Sequence, residues 1–393
     1  MQKKGVAAKQ LVRSVLPERN APHLKGGVSI FVESIIVLQV VLILLHFMIY
    51  ETLVAAFNLG IHEWGLALAL SVLSLTFMSA SILATAFRGR LMRAYYKLAA
   101  LWFAFVAPLC GACFGFVVTE NLIPLRGPFM NQVVVGAIWF GAAFLITLYG
   151  LWNGSRAQIT RVGISLPNLP KPWKGKRIVF VSDLHLGSLW GRRFAAKVAR
   201  RIQACAPFGI FIGGDMFDGV KCDPEYLIAP FKDLRSPLGT YFVTGNHEYI
   251  RDSKLLLDVI RSVGIRILDN EKVDLRGVQL VGVDFNDTEH REEFATVLAA
   301  LQIDPAKPSI LLRHVPDNLD VAERFGISLD LSGHTHRGQF FPLSYVTRYF
   351  YKGFDYGLNK LRTMSVFTSS GVGTWMSPFR LGTKSEIVLI EFK

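Results

Sequence analysis

The sequence predicts a four-helix transmembrane region followed by an α/β domain of two packed sheets, and three observations carry that prediction. Four long apolar stretches crowd the first 152 residues. From Arg177 onward, short apolar runs alternate with helix-like runs, the pattern of an α/β domain. The ends of those runs carry oxygen and imidazole donors: Asp183-Leu184-His185, Gly214-Asp215, Gly245-Asn246-His247-Glu248, His314 and Gly333-His334-Thr335-His336.

The apolar stretches lie at 28–50, 64–87, 98–118 and 129–152, and the last three contain no Asp, Glu, Lys or Arg. Each holds about 21 to 24 residues, which at about 1.5 Å per residue spans a roughly 30 Å hydrocarbon core. That length favours membrane spans over a buried soluble bundle. The basic residues between them alternate. Six precede the first stretch (Lys3, Lys4, Lys9, Arg13, Arg19, Lys25), none lies in 51–63, four lie in 88–97, only Arg126 lies in 119–128, and six follow between Arg156 and Arg177. Positively charged loops stay cytoplasmic. The expectation is therefore a multi-pass protein of the cytoplasmic (inner) membrane, with a basic N-terminus (1–27), both chain ends and the C-terminal domain in the cytoplasm. The first apolar stretch is too long for a cleaved signal peptide.

The net charge of +13 is thereby explained without a nucleic acid. Much of it flanks the spans, where it orients the chain and meets anionic headgroups. Arg192, Arg193, Arg200 and Arg201 read as a solvated helix face, so no nucleic-acid partner is expected. Four cysteines fit a reducing compartment, and Cys110-Cys113 sits inside an apolar stretch where packing is the simpler account. His23, His46, His62 and His290 lack companions of ligand type. Glu33, five residues into the first stretch, reads as snorkelling to water or facing the bundle.

Residues 153–176 form a linker broken by Pro167, Pro170, Pro172 and Gly175, within which Gln158–Leu166 reads as a short strand. The domain 177–393 offers apolar strands at 177–182, 209–213, 239–244, 278–283, 309–313, 328–332, 365–369 and 386–392. Helical patterns lie at 192–204, 226–234, 253–263, 292–301 and 319–325.

The donor groups follow these strands, as in α/β sheets that present ligands at one edge. Asp183 and His185 are two apart, so an extended backbone would point both one way. Asp215 adds a carboxylate, Asn246 an amide oxygen that leaves a cation more Lewis acidic than a third carboxylate would, and His314, His334 and His336 add imidazoles. The set is rich enough for two cations. Mixed oxygen and nitrogen donors without cysteine favour Mn, Fe or Zn over Mg. Two such ions about 3.5–4 Å apart clamp a phosphoryl group and supply a hydroxide near neutral pH.

In this order the residues resemble the calcineurin-like metallophosphoesterase superfamily, whose pattern is D-x-H, G-D, G-N-H-[DE], H and G-H-x-H. The resemblance covers about 177–393 and implies the four-layer α/β/β/α fold. It implies one metal on Asp183, His185, Asp215 and His336, and a second sharing Asp215 and completed by Asn246, His314 and His334. His247 would stabilise the transition state or protonate the leaving oxygen, Glu248 would orient it, and Asp218 matches an often acidic position nearby. One departure is Arg337, where relatives often have a small residue. It reads equally as a phosphate clamp or as an exposed loop residue. With four helices ahead of it, the domain looks like the membrane-attached branch, which includes bacterial phosphodiesterases similar to UDP-2,3-diacylglucosamine hydrolases and animal transmembrane proteins with this domain.

The function expected is a membrane-anchored phosphoesterase with two divalent metals. It would cut a phosphodiester or pyrophosphate bond at the cytoplasmic face by attack of a metal-bridging hydroxide, with a lipid-linked phosphate ester the substrate that membrane anchoring would suit. The alternatives are a transport or sensing protein with a regulatory phosphoesterase domain, or a phosphodiesterase of soluble nucleotides. The aromatic-rich segment Phe340–Tyr356, with Arg348 and Lys352, reads either as core and loop packing or as a lip dipping into the membrane interface.

Overall fold

The computed structural model describes residues 24–122 and 131–393, with side chains from Ile35 onward. Lys3, Lys4, Lys9, Arg13, Arg19, His23 and Arg126 lie outside this description, as do the side chains of Lys25 and Glu33. Two compact units result, one helical and one α/β.

The helical unit contains α1 (Leu24–Phe57), α2 (Glu63–Ala86), α3 (Arg90–Leu122) and α4 (Gln132–Gly154). All four are long and apolar enough to cross a membrane. Their outward surface is apolar, with Val37, Leu44, Phe47, Leu68, Phe114 and Leu145 exposed. Hydroxyl groups within the helices bond back to the preceding turn, as Thr52 does to the Met48 carbonyl (2.8 Å) and Thr147 to that of Ala143 (2.8 Å). Such local bonds let a polar side chain sit in an apolar setting. His46 is the deepest exception. Trp102 Nε1 donates to its Nε2 (2.9 Å), leaving Nδ1 to donate to the Leu42 carbonyl (2.7 Å).

The α/β unit has two six-stranded mixed sheets. The first runs β1 (Gln158–Ile164), β12 (Glu386–Phe392), β2 (Arg177–Val181), β3 (Gly209–Gly213), β4 (Thr240–Val243), β5 (Arg266–Ile267). The second runs β10 (Gly357–Leu361), β11 (Met364–Thr368), β9 (Leu329–Ser332), β8 (Ser309–Leu312), β7 (Val278–Gly282), β6 (Glu271–Leu275). Alternation along each strand makes the layers. Ile178, Phe180, Phe211 and Tyr241 of the first sheet pack on Leu280, Ile310, Leu331 and Phe367 of the second. On the far side of the first sheet, Val179, Ile210, Ile212 and Phe242 pack under α5 (Arg192–Ala204), α6 (Pro224–Ile228) and α7 (Ser253–Ser262). Beyond the second, after the short α8 (Phe285–Glu289), Val281, Leu311 and Val366 pack under α9 (Arg291–Ala300) and α10 (Leu319–Arg324). Strands apolar on both faces are what such layering requires.

All the strands expected from apolar runs are present. β5, β6 and β10 were not anticipated, because edge or near-edge strands such as Glu271-Lys272-Val273-Asp274-Leu275 are half exposed and show no apolar run. Their place comes from pairing, β6 with β7 and β10 with β11, both antiparallel. Also unexpected is the helix α11 (Leu343–Phe350).

Candidate metal centre

Five loops meet at one edge of the two sheets. Three leave the C-terminal ends of the mutually parallel strands β2, β3 and β4, and two leave those of β8 and β9. The loops are tied to each other by backbone: Asp183 N–H to the Gly214 carbonyl (3.1 Å), His185 N–H to that of Asp215 (3.1 Å), and Gly333 N–H to that of His314 (2.8 Å). The ligand pairs are not extended, as the two-residue spacing suggested. Asp183, His185, Asp215, His334 and His336 all have positive φ, between 48° and 66°. A left-handed turn, unlike a strand, folds the chain back so that both side chains of each pair reach one point. Such backbone costs about 1–2 kcal/mol per residue and persists only where the surroundings enforce it. Gly214 shows how tight the edge is. Its φ is +89°, and a Cβ there would lie 2.6 Å from His314 Nδ1.

The seven expected ligand residues are brought together, and three overlapping groups of donor atoms each lie within 4.8 Å: Asp183, His185, His336; His185, Asp215, His247; and Asp215, His314, His334. His185 Nε2 lies 3.0 Å from His336 Nε2 and 3.8 Å from Asp215 Oδ2. His314 Nδ1 lies 2.7 Å from the Gly213 carbonyl, so it donates there and turns Nε2 inward. That Nε2 meets Asp215 Oδ2 at 3.2 Å, Asn246 Oδ1 at 3.1 Å and His334 Nδ1 at 3.2 Å. A proton on Nε2 can serve only one of these acceptors, whereas a cation satisfies them together. Asp215 is central to both halves, its Oδ1 accepting from His247 N–H (2.9 Å).

The electrostatics point the same way. Burial opposes charge on His314, but Asp215 and Asp183 outweigh it, and its pKa is pushed up to about 10. Burial, then the His314 charge, drives His334 down to about 3. Burial works against the Asp215 carboxylate too, and His314 more than reverses it, holding Asp215 well below the usual range. Without a cation, then, one proton on His314 balances the buried acid. A divalent ion does that better and displaces the proton. The donor set fits divalent cations.

His247 lies beside this cluster, its ring edge-on to His185 with centroids 4.6 Å apart and its Nε2 4.0 Å from Asp215 Oδ2. Glu248 is fully buried beside the site. Its carboxylate accepts from the backbone N–H groups of Asp215 (3.0 Å), Met216 (2.9 Å), Phe217 (3.4 Å) and Gly245 (2.8 Å). It thus ties the Asp215 loop to the Gly245 turn that leads into His247. Asp218 Oδ1 sits 3.5 Å from His185 Nδ1, where it can fix that ring. The Arg337 guanidinium lies over the Tyr356 ring, 4.3 Å from its centroid.

Sequence reasoning missed Arg380. It is fully buried, and its guanidinium contacts His336 at the carbonyl (3.2 Å) and Nδ1 (3.2 Å) while donating to the Gly373 carbonyl (2.8 Å). Burial lowers its pKa to about 10. The signal was present: between Thr363 and Thr383 it is the one charged residue.

Fold and site define a metal-dependent phosphoesterase, and comparison with known proteins agrees. Residues 176–338 match the calcineurin-like phosphoesterase family. An uncharacterized metallophosphoesterase of Helicobacter pylori strain J99 is 34% identical over 257 residues, 63% of this chain and 68% of that protein. A transmembrane protein with metallophosphoesterase domain of Bos taurus is 33% identical over 264 residues, 62% of this chain and 59% of its own length. In Aquifex aeolicus an uncharacterized metallophosphoesterase is 31% identical over 258 residues, 64% of this chain and 98% of that protein. The chain belongs to the calcineurin-like metallophosphoesterase family.

Proposed function

We propose that the chain is a membrane-anchored hydrolase that uses two divalent cations, of the Mn, Fe or Zn type, to cut a phosphodiester or pyrophosphate bond at the cytoplasmic face. The observation that carries this reading is the convergence of seven donor side chains from five strand ends into overlapping groups, with Asp215 Oδ2 3.2 Å from His314 and 3.8 Å from His185. Asp183, His185 and His336 would hold one ion, Asn246, His314 and His334 the other, with Asp215 shared. Such a pair, when bound, lowers the pKa of water toward 7 and neutralises the phosphoryl oxygens.

The remaining groups act around that pair. His247 would donate through its ring to the oxygen of the departing group, a role in which it need not be a ligand. Glu248 fixes the two loops on which Asp215 and Asn246 ride. Arg337, propped on Tyr356, would reach a second phosphate or the esterified group. The basic asymmetry of the loops supports the cytoplasmic face, and four apolar helices support an amphiphilic substrate over a soluble one.

The direct test is turnover of bis-p-nitrophenyl phosphate by the purified chain with Mn²⁺. Activity lost in Asn246→Ala and His247→Ala supports the reading; no activity in the native chain, or equal activity in both variants, defeats it. Reporter fusions at Lys393 and in the 51–63 loop should mark the cytoplasm and the exterior respectively.

A further inference from the structure

Just beyond His336 the chain forms a short helix whose sidedness is inverted. In Leu343–Phe350 the least exposed positions are the polar Ser344 and Thr347. The outward ones, Arg348 apart, are apolar or aromatic: Tyr345 is 66% exposed, Tyr349 82% and Phe350 71%, with Val346, Leu343 and the preceding Phe341 exposed beside them. A helix on a water-facing surface buries such residues and shows its polar ones. This is not a frayed loop. The backbone of Leu343–Ser344 lies directly on Gly338, where a Cβ would come within 2.5 Å of the Leu343 carbonyl. Beyond the helix, Thr335 Oγ1 donates to the Asp355 carbonyl (2.7 Å) and Thr368 Oγ1 to that of Phe354 (2.7 Å). The loop that carries His334 and His336 therefore holds the apolar helix at both ends.

The charges say what covers it. From Phe340 to Phe354 there are two cations, Arg348 and Lys352, and no Asp or Glu. Aromatic side chains interleaved with basic ones suit the boundary between anionic headgroups and acyl chains. The chain also carries four helices able to cross a bilayer, so a lipid surface is its standing neighbour. We propose that the helix Leu343–Phe350, with Phe341, seats in the anionic surface of the membrane and presents the adjoining site to a phosphoester carried on acyl chains. Its second half rests on the phosphoesterase reading above; the seating itself does not.

The two halves are tested separately on the full chain in nanodiscs of phosphatidylcholine with or without phosphatidylglycerol. With the four native cysteines replaced by alanine, Tyr349→Cys and, as a water-facing control, Glu225→Cys carry an environment-sensitive fluorophore. The Tyr349 probe should be quenched by doxyl-labelled lipid and shielded from iodide, more so with phosphatidylglycerol, while the Glu225 probe shows the reverse. Quenching of the Tyr349 probe by iodide overturns the seating. So does shielding from both quenchers, which would mean that a second copy or another protein covers the helix. For the substrate, Tyr349→Ser with Phe350→Ser should keep turnover of bis-p-nitrophenyl phosphate and lose about tenfold or more on a p-nitrophenyl ester of phosphatidic acid, as expected when two aromatic anchors are withdrawn from lipid. Equal effects on both substrates overturn the feeding role. Failure of the native chain on both substrates sinks the phosphoesterase reading instead and leaves the probe result standing.

Discussion

The two halves of this protein handle polar groups in opposite ways. In the helical half most of the described serine and threonine hydroxyls bond back within their own helix, Tyr95 reaches across to Ser79, and the buried His46 has both ring nitrogens engaged by Trp102 and Leu42. Such groups ask nothing of a ligand, and the outward surface is left free to be apolar. In the α/β half, Asp183, Asp215, His185, His314 and His336 are buried together with more lone pairs than protons to share among them. Buried polar groups that lack partners are costly, and a cluster of them at one strand edge marks where binding will supply the missing charge. Local satisfaction builds an anchor, and deferred satisfaction builds a site.

That contrast can be broken by experiment. The largest effect should come from removing the charge the site awaits. Chelation, or Asp215→Asn, should take turnover to background, with Mn²⁺ restoring the native chain but not the variant, while circular dichroism of the helices stays unchanged. Next comes His247→Ala, expected to lower kcat by about 10²–10⁴-fold while elemental analysis finds the metal content intact. If metal is lost as well, His247 is a ligand and its assignment falls.

Arg380→Ala should weaken metal binding by about 10–100-fold, since its guanidinium fixes the backbone carbonyl of His336. Arg380→Lys should recover part of it, read by metal titration as well as by activity. A smaller effect per step is pH-dependent. Because the His314 pKa lies near 10 without a cation, its proton must leave when an ion binds. Metal affinity should therefore fall by up to about tenfold per pH unit below that value for each proton displaced, and calorimetry in buffers of different ionisation heat should show proton release. Affinity independent of pH would mean that His314 stays out of the metal shell. Smallest of all is Trp102→Phe, which removes the His46 bond inside the helical half. About 0.6 kcal/mol of helical-unit stability should go, with activity on a soluble ester untouched.

Much of this was legible in the chain, because the two halves rest on patterns that act over short distances. A 24-residue apolar helix such as Glu63–Ala86 needs no partner to identify it. β2, β3, β4, β8 and β9 announce themselves as apolar runs, and their terminal donors fall in the order of a known family. Edge strands such as Glu271–Leu275 do not, since only pairing makes them strands.

What the sequence determined by itself is therefore the class of each half, the identity of the donors and the family they signal, all of them properties of composition and spacing. Three things were decided only by the tertiary structure. The pairs at 183 and 185 and at 334 and 336 converge through left-handed turns, not through strand alternation. Glu248 spends its carboxylate on backbone N–H groups 31 to 33 residues upstream as well as on Gly245. Arg380 reaches His336 across 44 residues. Each depends on which distant segments share a volume, and close packing of two sheets fixes that where local preference cannot.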